Sequence, residues 1–215
     1  MVAMTTRSGI CGVLAYGNYD GNSHRLIEYP GYSPIDPSGD PSSDTWSFYG
    51  EMGYRWEMAE ESNLTPFLGL SLAQANLDSF TEDDPYGTGA ALRIHSSDAD
   101  SVASRLGLRF MGDWAMGAGS FIPELSVAWE HEFDDTRQSV DMSFAGGPSG
   151  TDFSVVSAET DRDSALVEVG GKFAIGDTMD AGLYYNGRFN SDYTSNAVTG
   201  RIGRRKALVR SAFCV

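Results

Sequence analysis

The residues that could do chemistry in this sequence are its carboxylates and histidines, and their spacing excludes most active sites. His24, His95 and His131 are too scattered along the chain to match the ligand spacing of a metal motif. On one face of a strand, Glu124 and Glu130 would lie about 20 Å apart, too far for the carboxylate pair of a glycosidase. The sequence has no Gly-x-Ser-x-Gly elbow and no phosphate-binding loop. We therefore predict no catalytic, cofactor-binding or metal-binding residue, and no enzymatic activity.

The remaining acidic residues favour a solvated surface over a binding site. The run Glu82-Asp83-Asp84 could attract calcium, but it lacks the ligand periodicity of a calcium loop. The net charge of -15 over 215 residues argues against nucleic acid as a partner, because phosphate binding needs a basic face. The first residues contain no apolar run of the signal-peptide kind, so the chain is either cytosolic or lacks its true N-terminus.

Most other charged residues fall on alternating segments, of which Gly119–Phe133 is the clearest. Its odd-numbered positions are apolar or aromatic with one histidine, whereas its even-numbered positions carry three glutamates, one isoleucine and small residues. Since a strand points successive side chains to opposite faces, this is a strand with one apolar and one acidic side. It exceeds the usual five or six residues and fits the roughly nine to eleven of a tilted strand that crosses a bilayer.

The same alternation recurs along the chain and predicts an antiparallel all-β meander. Eight strands are well marked, and Gly12–Tyr29 could add two more as a hairpin. Segment 134–160 is expected to project beyond the sheet as another hairpin. The eight marked strands are Thr45–Trp56, Leu64–Leu77, Tyr86–His95, Val102–Phe110, Gly119–Phe133, Asp163–Ile175, Met179–Phe189 and Ser195–Gly203.

Alternation alone permits two architectures. In a soluble barrel or sandwich the apolar face points inward, whereas in a membrane barrel it faces lipid and the polar face lines the lumen. Mid-strand charges of both signs among glycine, alanine and serine, with aromatic side chains near strand ends, favour the membrane barrel. We expect Glu124 and Glu130 to pair with Arg105, Arg109 or Lys172 on adjacent strands.

This interpretation assigns each face its residues. The predicted lumen-lining residues are Glu51, Arg55, Arg93, Arg105, Arg109, Glu124, Glu130, Glu168, Lys172 and Arg188. The predicted lipid-facing residues are Leu68, Leu70, Leu106, Leu108, Leu125, Val127, Val167, Val169, Leu183 and Tyr185.

Seven segments, in this order, resemble the C-terminal translocator β-barrel domain of bacterial autotransporters, the type V secretion proteins. The resemblance covers about Gly12 to Gly203. The segments are YGEMGYRW, LTPFLGLSLAQ, the DSFTE loop opening into YGTGAAL, SRLGLRF, IPELSVAWEHEF, FSVVSAETDRDSALVEVGGKF and LYYNGRFNSDYTSNAVTGRIG.

The resemblance implies a 12-stranded, up-and-down transmembrane β-barrel of the bacterial outer membrane, with about ten strands present here. It implies a translocator that anchors and helps to export an upstream passenger domain, which this sequence does not include. The expected partners are outer-membrane lipid, the passenger and the outer-membrane insertion machinery. The alternatives are a small porin or adhesin barrel, and a soluble β-barrel or sandwich that binds an apolar ligand.

The expected domain boundaries follow from the same comparison. Residues 1–11 are expected to be an irregular or non-native N-terminus, 12–203 an incomplete barrel domain, and 204–215 an atypical basic tail. The tail departs from the family pattern because continued alternation puts Arg204 and Lys206 on the lipid face. A cation there costs about 2–4 kcal/mol at mid-bilayer.

Overall fold

The computed structural model describes residues 6–31, 33–59, 61–117, 119–148, 150–175 and 179–204. These residues form fifteen strands and no helix, which confirms the predicted all-β fold. None of them belongs to a helix long and apolar enough to cross a membrane. The strands are β1 Thr6–Asp20, β2 Ser23–His24, β3 Ser38–Gly39, β4 Ser42–Ala59, β5 Ser62–Leu77, β6 Phe80–Thr81, β7 Leu92–Ile94, β8 Ser97–Gly112, β9 Trp114–Met116, β10 Gly119–Glu132, β11 Ser139–Phe144, β12 Phe153–Val156, β13 Asp163–Ile175, β14 Met179–Phe189 and β15 Thr194–Arg204.

Eight long strands form one antiparallel sheet, which we call the wall. Their order is β1-β4-β5-β8-β10-β13-β14-β15, with the short β9 beside β10. The wall curls into a half-barrel whose edges are β1 and β15, and the described residues show no pairing between those two strands. Short connections join β4 to β5, β8 to β10 and β13 to β14 at the turn end. The remaining connections, three of them long, lie at the opposite end, the loop end.

The register of the wall is nearly unbroken, and this fixes which side chains share a face. β5 and β8 pair over sixteen residues, from Ser62 opposite Gly112 to Leu77 opposite Ser97. The one irregularity between β4 and β5 falls between Glu57 and Ala59. Because the side-chain period is two, a continuous register keeps the whole apolar set of each strand on one face.

Two small sheets at the loop end form what we call the cap. One has the strand order β12-β11-β7-β6, and the other pairs β2 with β3. An antiparallel bridge between Ser38 and Asp83 joins the two sheets. The predicted hairpin within 134–160 is confirmed, since β11 and β12 pair antiparallel outside the wall.

Two segments that were predicted as strands of the wall do not lie in it. Only Leu92–Ile94 of the predicted strand Tyr86–His95 is extended, and it pairs with β6 and β11 in the cap because β5 pairs directly with β8. Arg93 therefore lies outside the wall. The predicted hairpin over Gly12–Tyr29 does not form, because β1 pairs with β4 and only Ser23–His24 of its second half is a strand.

The N-terminal boundary also differs from the prediction. Residues 6–11 were expected to be irregular, but they pair with β4 from Thr6 opposite Trp56 to Cys11 opposite Glu51. The wall thus has eight strands where the sequence pattern indicated about ten. The predicted tail beyond Arg204 lies outside the described residues.

Candidate functional site on the inner face of the wall

We call the face of the wall that carries Leu106 and Leu183 the outer face, and the face that carries Glu51 and Glu130 the inner face. Apolar side chains are exposed on the outer face and carboxylates are buried on the inner face, the reverse of what a water-soluble sheet shows. On the outer face, Leu106 is 58% and Leu183 63% exposed, whereas on the inner face Glu51 is 5% and Glu130 3% exposed. Apolar side chains normally occupy the interior and carboxylates the surface. All ten residues predicted to face lipid lie on the outer face; eight are exposed, while Val167 and Tyr185 are partly exposed.

Glu130 is the centre of one charged group on the inner face. The Nε of Arg105, on the neighbouring strand β8, donates to its Oε2. The Nη2 of Arg188, on β14, lies 2.7 Å from its Oε1. Arg188 reaches across β13, where its Nε donates to the Oγ of Ser164 at 3.4 Å. One buried carboxylate thus joins three strands.

Glu51 is the centre of a second group. The two terminal nitrogens of Arg109 donate to its two carboxylate oxygens at 3.0 and 3.2 Å. The Tyr49 hydroxyl donates to the Oε2 of Glu51 at 2.8 Å. The guanidinium of Arg109 also lies 4.7 Å from the ring centre of Phe67, and that of Arg105 lies 5.1 Å from the ring centre of Tyr49. Such cation–aromatic contacts stabilise charges that have lost water.

Glu124 carries the third group. The Nζ of Lys172 lies 3.2 Å from its Oε1, at ion-pair distance but without hydrogen-bond geometry. Tyr184 is buried on the same face, and the guanidinium of Arg201 lies 5.0 Å from its ring centre. The carboxylates of all three groups are therefore neutralised by cations from other strands.

Glycines on the inner face make room for two of the aromatic rings. A Cβ on Gly107 would lie 2.3 Å from the Cζ of Phe67, and a Cβ on Gly69 would lie 2.7 Å from the Tyr49 hydroxyl. A side chain at either position would push a ring out of its place beneath an arginine. These two glycines thus help to shape the charged face.

The predicted pairs are confirmed for Glu130 with Arg105 and for Glu124 with Lys172, whereas Arg109 pairs with Glu51. Glu168 lies on the same face and lines a cavity of about 380 Å³. Arg55 also lies on the inner face of β4, toward the turn end, and Arg93 lies in the cap. The prediction missed Tyr49, Phe67, Tyr184 and Arg201, because alternation gives their face but not their contacts.

The inner face offers charge but no arrangement for a metal ion. Among the described residues, no three or more His, Cys, Asp or Glu side chains are grouped to hold one. Paired cations and carboxylates on a polar surface can line a hydrated passage, and they can exchange contacts with a polypeptide that passes over them.

The cap contains a comparable ion pair of its own. The Nη2 and Nε of Arg25 donate to Glu82 at 2.5 and 3.2 Å, and the Leu92 N–H donates to Glu82 Oε2 at 2.8 Å. Burial opposes the ionisation of Glu82, but the hydrogen bonds from Arg25 and Leu92 outweigh it and lower its pKa.

Comparison with known proteins gives one family and a small set of relatives. Residues 5–186 match the family model described as "Autotransporter beta-domain". The chain is 26% and 27% identical over 154 residues to two proteins from Serratia marcescens, each named "Extracellular serine protease". It is 28% identical over 161 residues to an "Uncharacterized protein in trpE-trpG intergenic region" from Pseudomonas putida.

These relatives are much longer than the part that matches. The alignments cover 72% of this chain but 14% of each Serratia protein, and 74% of this chain but 26% of the Pseudomonas protein. The similarity therefore concerns a limited part of each relative.

Proposed function

The chain belongs to the autotransporter β-domain family, and from that premise we propose that it anchors a linked passenger domain in the bacterial outer membrane and helps to export it. Family membership implies an outer-membrane location and a translocator role. The observation that carries the proposal is the reversed exposure of the wall, with leucines and valines outside and ion-paired carboxylates inside. We propose no enzymatic activity for this domain.

The outer face suits a bilayer in height as well as in chemistry. Trp46 and Trp56 lie ten residues apart on the outer face of β4. That separation is about 34 Å along a strand and about 26 Å after a tilt of about 40°, close to the roughly 25 Å apolar band of an outer-membrane barrel. Phe121 and Phe173 stack near the turn end at 4.6 Å between ring centres, where an interfacial aromatic belt would lie.

In this proposal the ten outer-face residues of the prediction contact lipid. Seven of the predicted lumen residues join the three ion-paired groups and line a polar passage, together with Glu168 and Arg55. Arg93 contributes at the loop end, outside the passage. The central carboxylates already have cationic partners. A passing polypeptide therefore meets a polar surface that does not bind any one of its own charged side chains tightly. The insertion machinery of the outer membrane completes the proposed set of partners.

A surface-display experiment tests the proposal. The chain is expressed in a Gram-negative host behind a signal sequence and a small reporter domain, and external protease is added to whole cells. We expect a reporter that external protease removes, and a membrane-embedded domain whose gel mobility changes on heating. A reporter that stays in the periplasm while the domain is inserted would overturn the export role. A chain that remains in solution without detergent would overturn the membrane role.

A further inference from the structure

The edge of the cap at β12 is open and apolar. β12 is the last strand of the β12-β11-β7-β6 sheet, and within the described residues no strand pairs with its outer side. All four of its residues are exposed. An exposed strand edge is a template for a further strand.

Backbone hydrogen bonds fix which groups of β12 point outward. The Ser157 N–H donates to the Gln138 carbonyl at 2.8 Å. In an antiparallel pair, hydrogen-bonded residues alternate with residues whose backbone points away. Val155 lies opposite Val140, two residues along from the bonded pair of Gln138 and Ser157, so its backbone also points toward β11. The N–H and C=O groups of Ser154 and Val156 therefore face the open edge. The His95 N–H donates to the Asp141 carbonyl on the far side of β11, which is the phase that this alternation requires.

The side chains beside the open edge differ between the two faces of the sheet. Phe153 and Val155 are 38% and 51% exposed on one face, and Phe153 lies 5.9 Å from Phe144 between ring centres. The other face carries Ser154, whose hydroxyl donates to Asp141 on β11 at 2.5 Å, and Val156, which is 51% exposed; Asp152 comes one residue before the strand. A strand added here would meet two apolar side chains on one face, and on the other a hydroxyl and a valine with the carboxylates of Asp152 and Asp141 nearby.

Charge selects the partner. Residues 133–162 contain six Asp and Glu but two Arg. Arg137 is paired with Glu159 at 2.6 Å, and Arg162 donates to main-chain carbonyls of Glu132 and Phe133. A second copy of this chain would bring another acidic hairpin and a net charge of -15 against the edge, which is unfavourable. A basic strand would be attracted instead.

We propose that the open edge of β12 is a docking site for an extended peptide strand in which apolar and basic side chains alternate. The apolar side chains pack beside Phe153 and Val155, and the basic ones lie close to Asp152 and reach across Ser154 toward Asp141 on β11. Main-chain hydrogen bonds to Ser154 and Val156 supply the binding common to any extended strand. This docking site does not require the chain to export a passenger.

The experiment uses the whole chain refolded in detergent micelles and a fluorescent peptide of repeated Val-Lys units. We expect saturable binding that weakens as salt is raised, and much weaker binding of repeated Val-Glu or Ser-Lys peptides. Val156→Pro removes one edge N–H that β11 does not use, and we expect about tenfold weaker binding or more. Val156→Thr keeps that N–H and serves as the matched control, while an unchanged rate of protease cleavage at the loop-end segments reports that the cap is folded in both variants.

Four results would overturn the proposal. Equal binding of Val-Lys and Val-Glu peptides would remove the role of charge, and equal binding of Val-Lys and Ser-Lys peptides would remove the role of the apolar face. Unchanged affinity in folded Val156→Pro would remove the role of the edge. A concentration-dependent dimer that Val156→Pro abolishes, with no peptide binding by the parent chain, would assign the edge to a second copy.

Discussion

Glu130 in the wall and Glu82 in the cap are both nearly buried carboxylates held by arginine, yet they are built differently. Glu130 is joined to Arg105 and Arg188, which come from two other strands of one continuous sheet. Glu82 is joined to Arg25, which lies 57 residues earlier in an irregular segment, and to the Leu92 N–H. In the wall, strand parity and register determine where a charge lies. In the cap, the path of the chain determines it.

The largest expected effect distinguishes the two faces of one wall strand. Val127→Arg places a cation on the outer face of β10, and we expect it to lower the free energy of unfolding in lipid vesicles by about 2–4 kcal/mol. Ser126→Arg changes the adjacent residue, on the inner face opposite Glu168, and should lower it by less than about 1 kcal/mol because a lumen tolerates charge. Urea titration followed by heat-modifiable mobility measures both, and equal effects would contradict the assignment of the faces.

The next effect concerns the ion-pair network itself. Glu130→Gln leaves Arg105 and Arg188 without a carboxylate. Because about a third or more of each arginine side chain is still exposed to water, which screens its charge, we expect the free energy of unfolding to fall by only about 1–3 kcal/mol. Glu168→Gln is the matched control, because Glu168 lies on the same face outside the three ion-paired groups. The same urea titration applies, and a control as damaging as Glu130→Gln would argue against a specific role for the network.

A smaller and more local effect is expected in the cap. Glu82→Gln removes the charge that Arg25 contacts, and we expect faster cleavage of the loop-end segments by protease, equivalent to about 1 kcal/mol of local stability. The heat-modifiable mobility of the wall should not change. If that mobility changed with the cleavage rate, the cap and the wall would form one cooperative unit.

Acidification provides the same test without a substitution. Because the pKa of Glu82 is lowered in the folded cap, its stabilisation is complete above the unfolded-state pKa of about 4.3 and is lost as pH falls through the lower folded value. Protease cleavage of the wild-type cap should therefore accelerate below about pH 4 when measured with an acid-active protease. Glu82→Gln should show a smaller acceleration over that range.

The smallest effect is expected for the exposed pair of Arg137 and Glu159. Both side chains are more than half exposed, so Arg137→Ala should change cap stability by about 0–1 kcal/mol. The protease assay used for Glu82→Gln measures it. A loss as large as that of Glu82→Gln would mean that burial is not what distinguishes the two cap ion pairs.

The sequence predicts the wall well because alternation is a property of each strand by itself. The faces of Leu68, Val127 and Glu130 follow from parity, and the pair of Glu130 with Arg105 follows once β8 and β10 are neighbours. The contact of Arg188 with Glu130 does not follow, since it crosses an intervening strand. The contacts of the Phe67 and Tyr49 rings could also not be predicted without the strand register, which places a glycine beside each ring.

The cap could not be predicted in the same way. Tyr86–His95 alternates like a wall strand, but Gly87 and Gly89 adopt φ values of 63° and 77°, which end an extended segment. Nothing local distinguishes a glycine that turns the chain from one that makes room for a ring. The contact of Arg25 with Glu82 likewise joins segments without a shared periodicity, so no sequence pattern indicated it.

The orientation of the two faces of β10 can be measured directly. In a chain whose two cysteines are replaced by serine, a spin label is placed in turn at each residue from Glu124 to Trp129, and the protein is refolded in lipid vesicles. We predict a period of two, with Leu125, Val127 and Trp129 accessible to oxygen dissolved in lipid and the intervening residues accessible to a water-soluble nickel complex. The opposite phase, or no alternation, would contradict a wall that faces lipid with its apolar side.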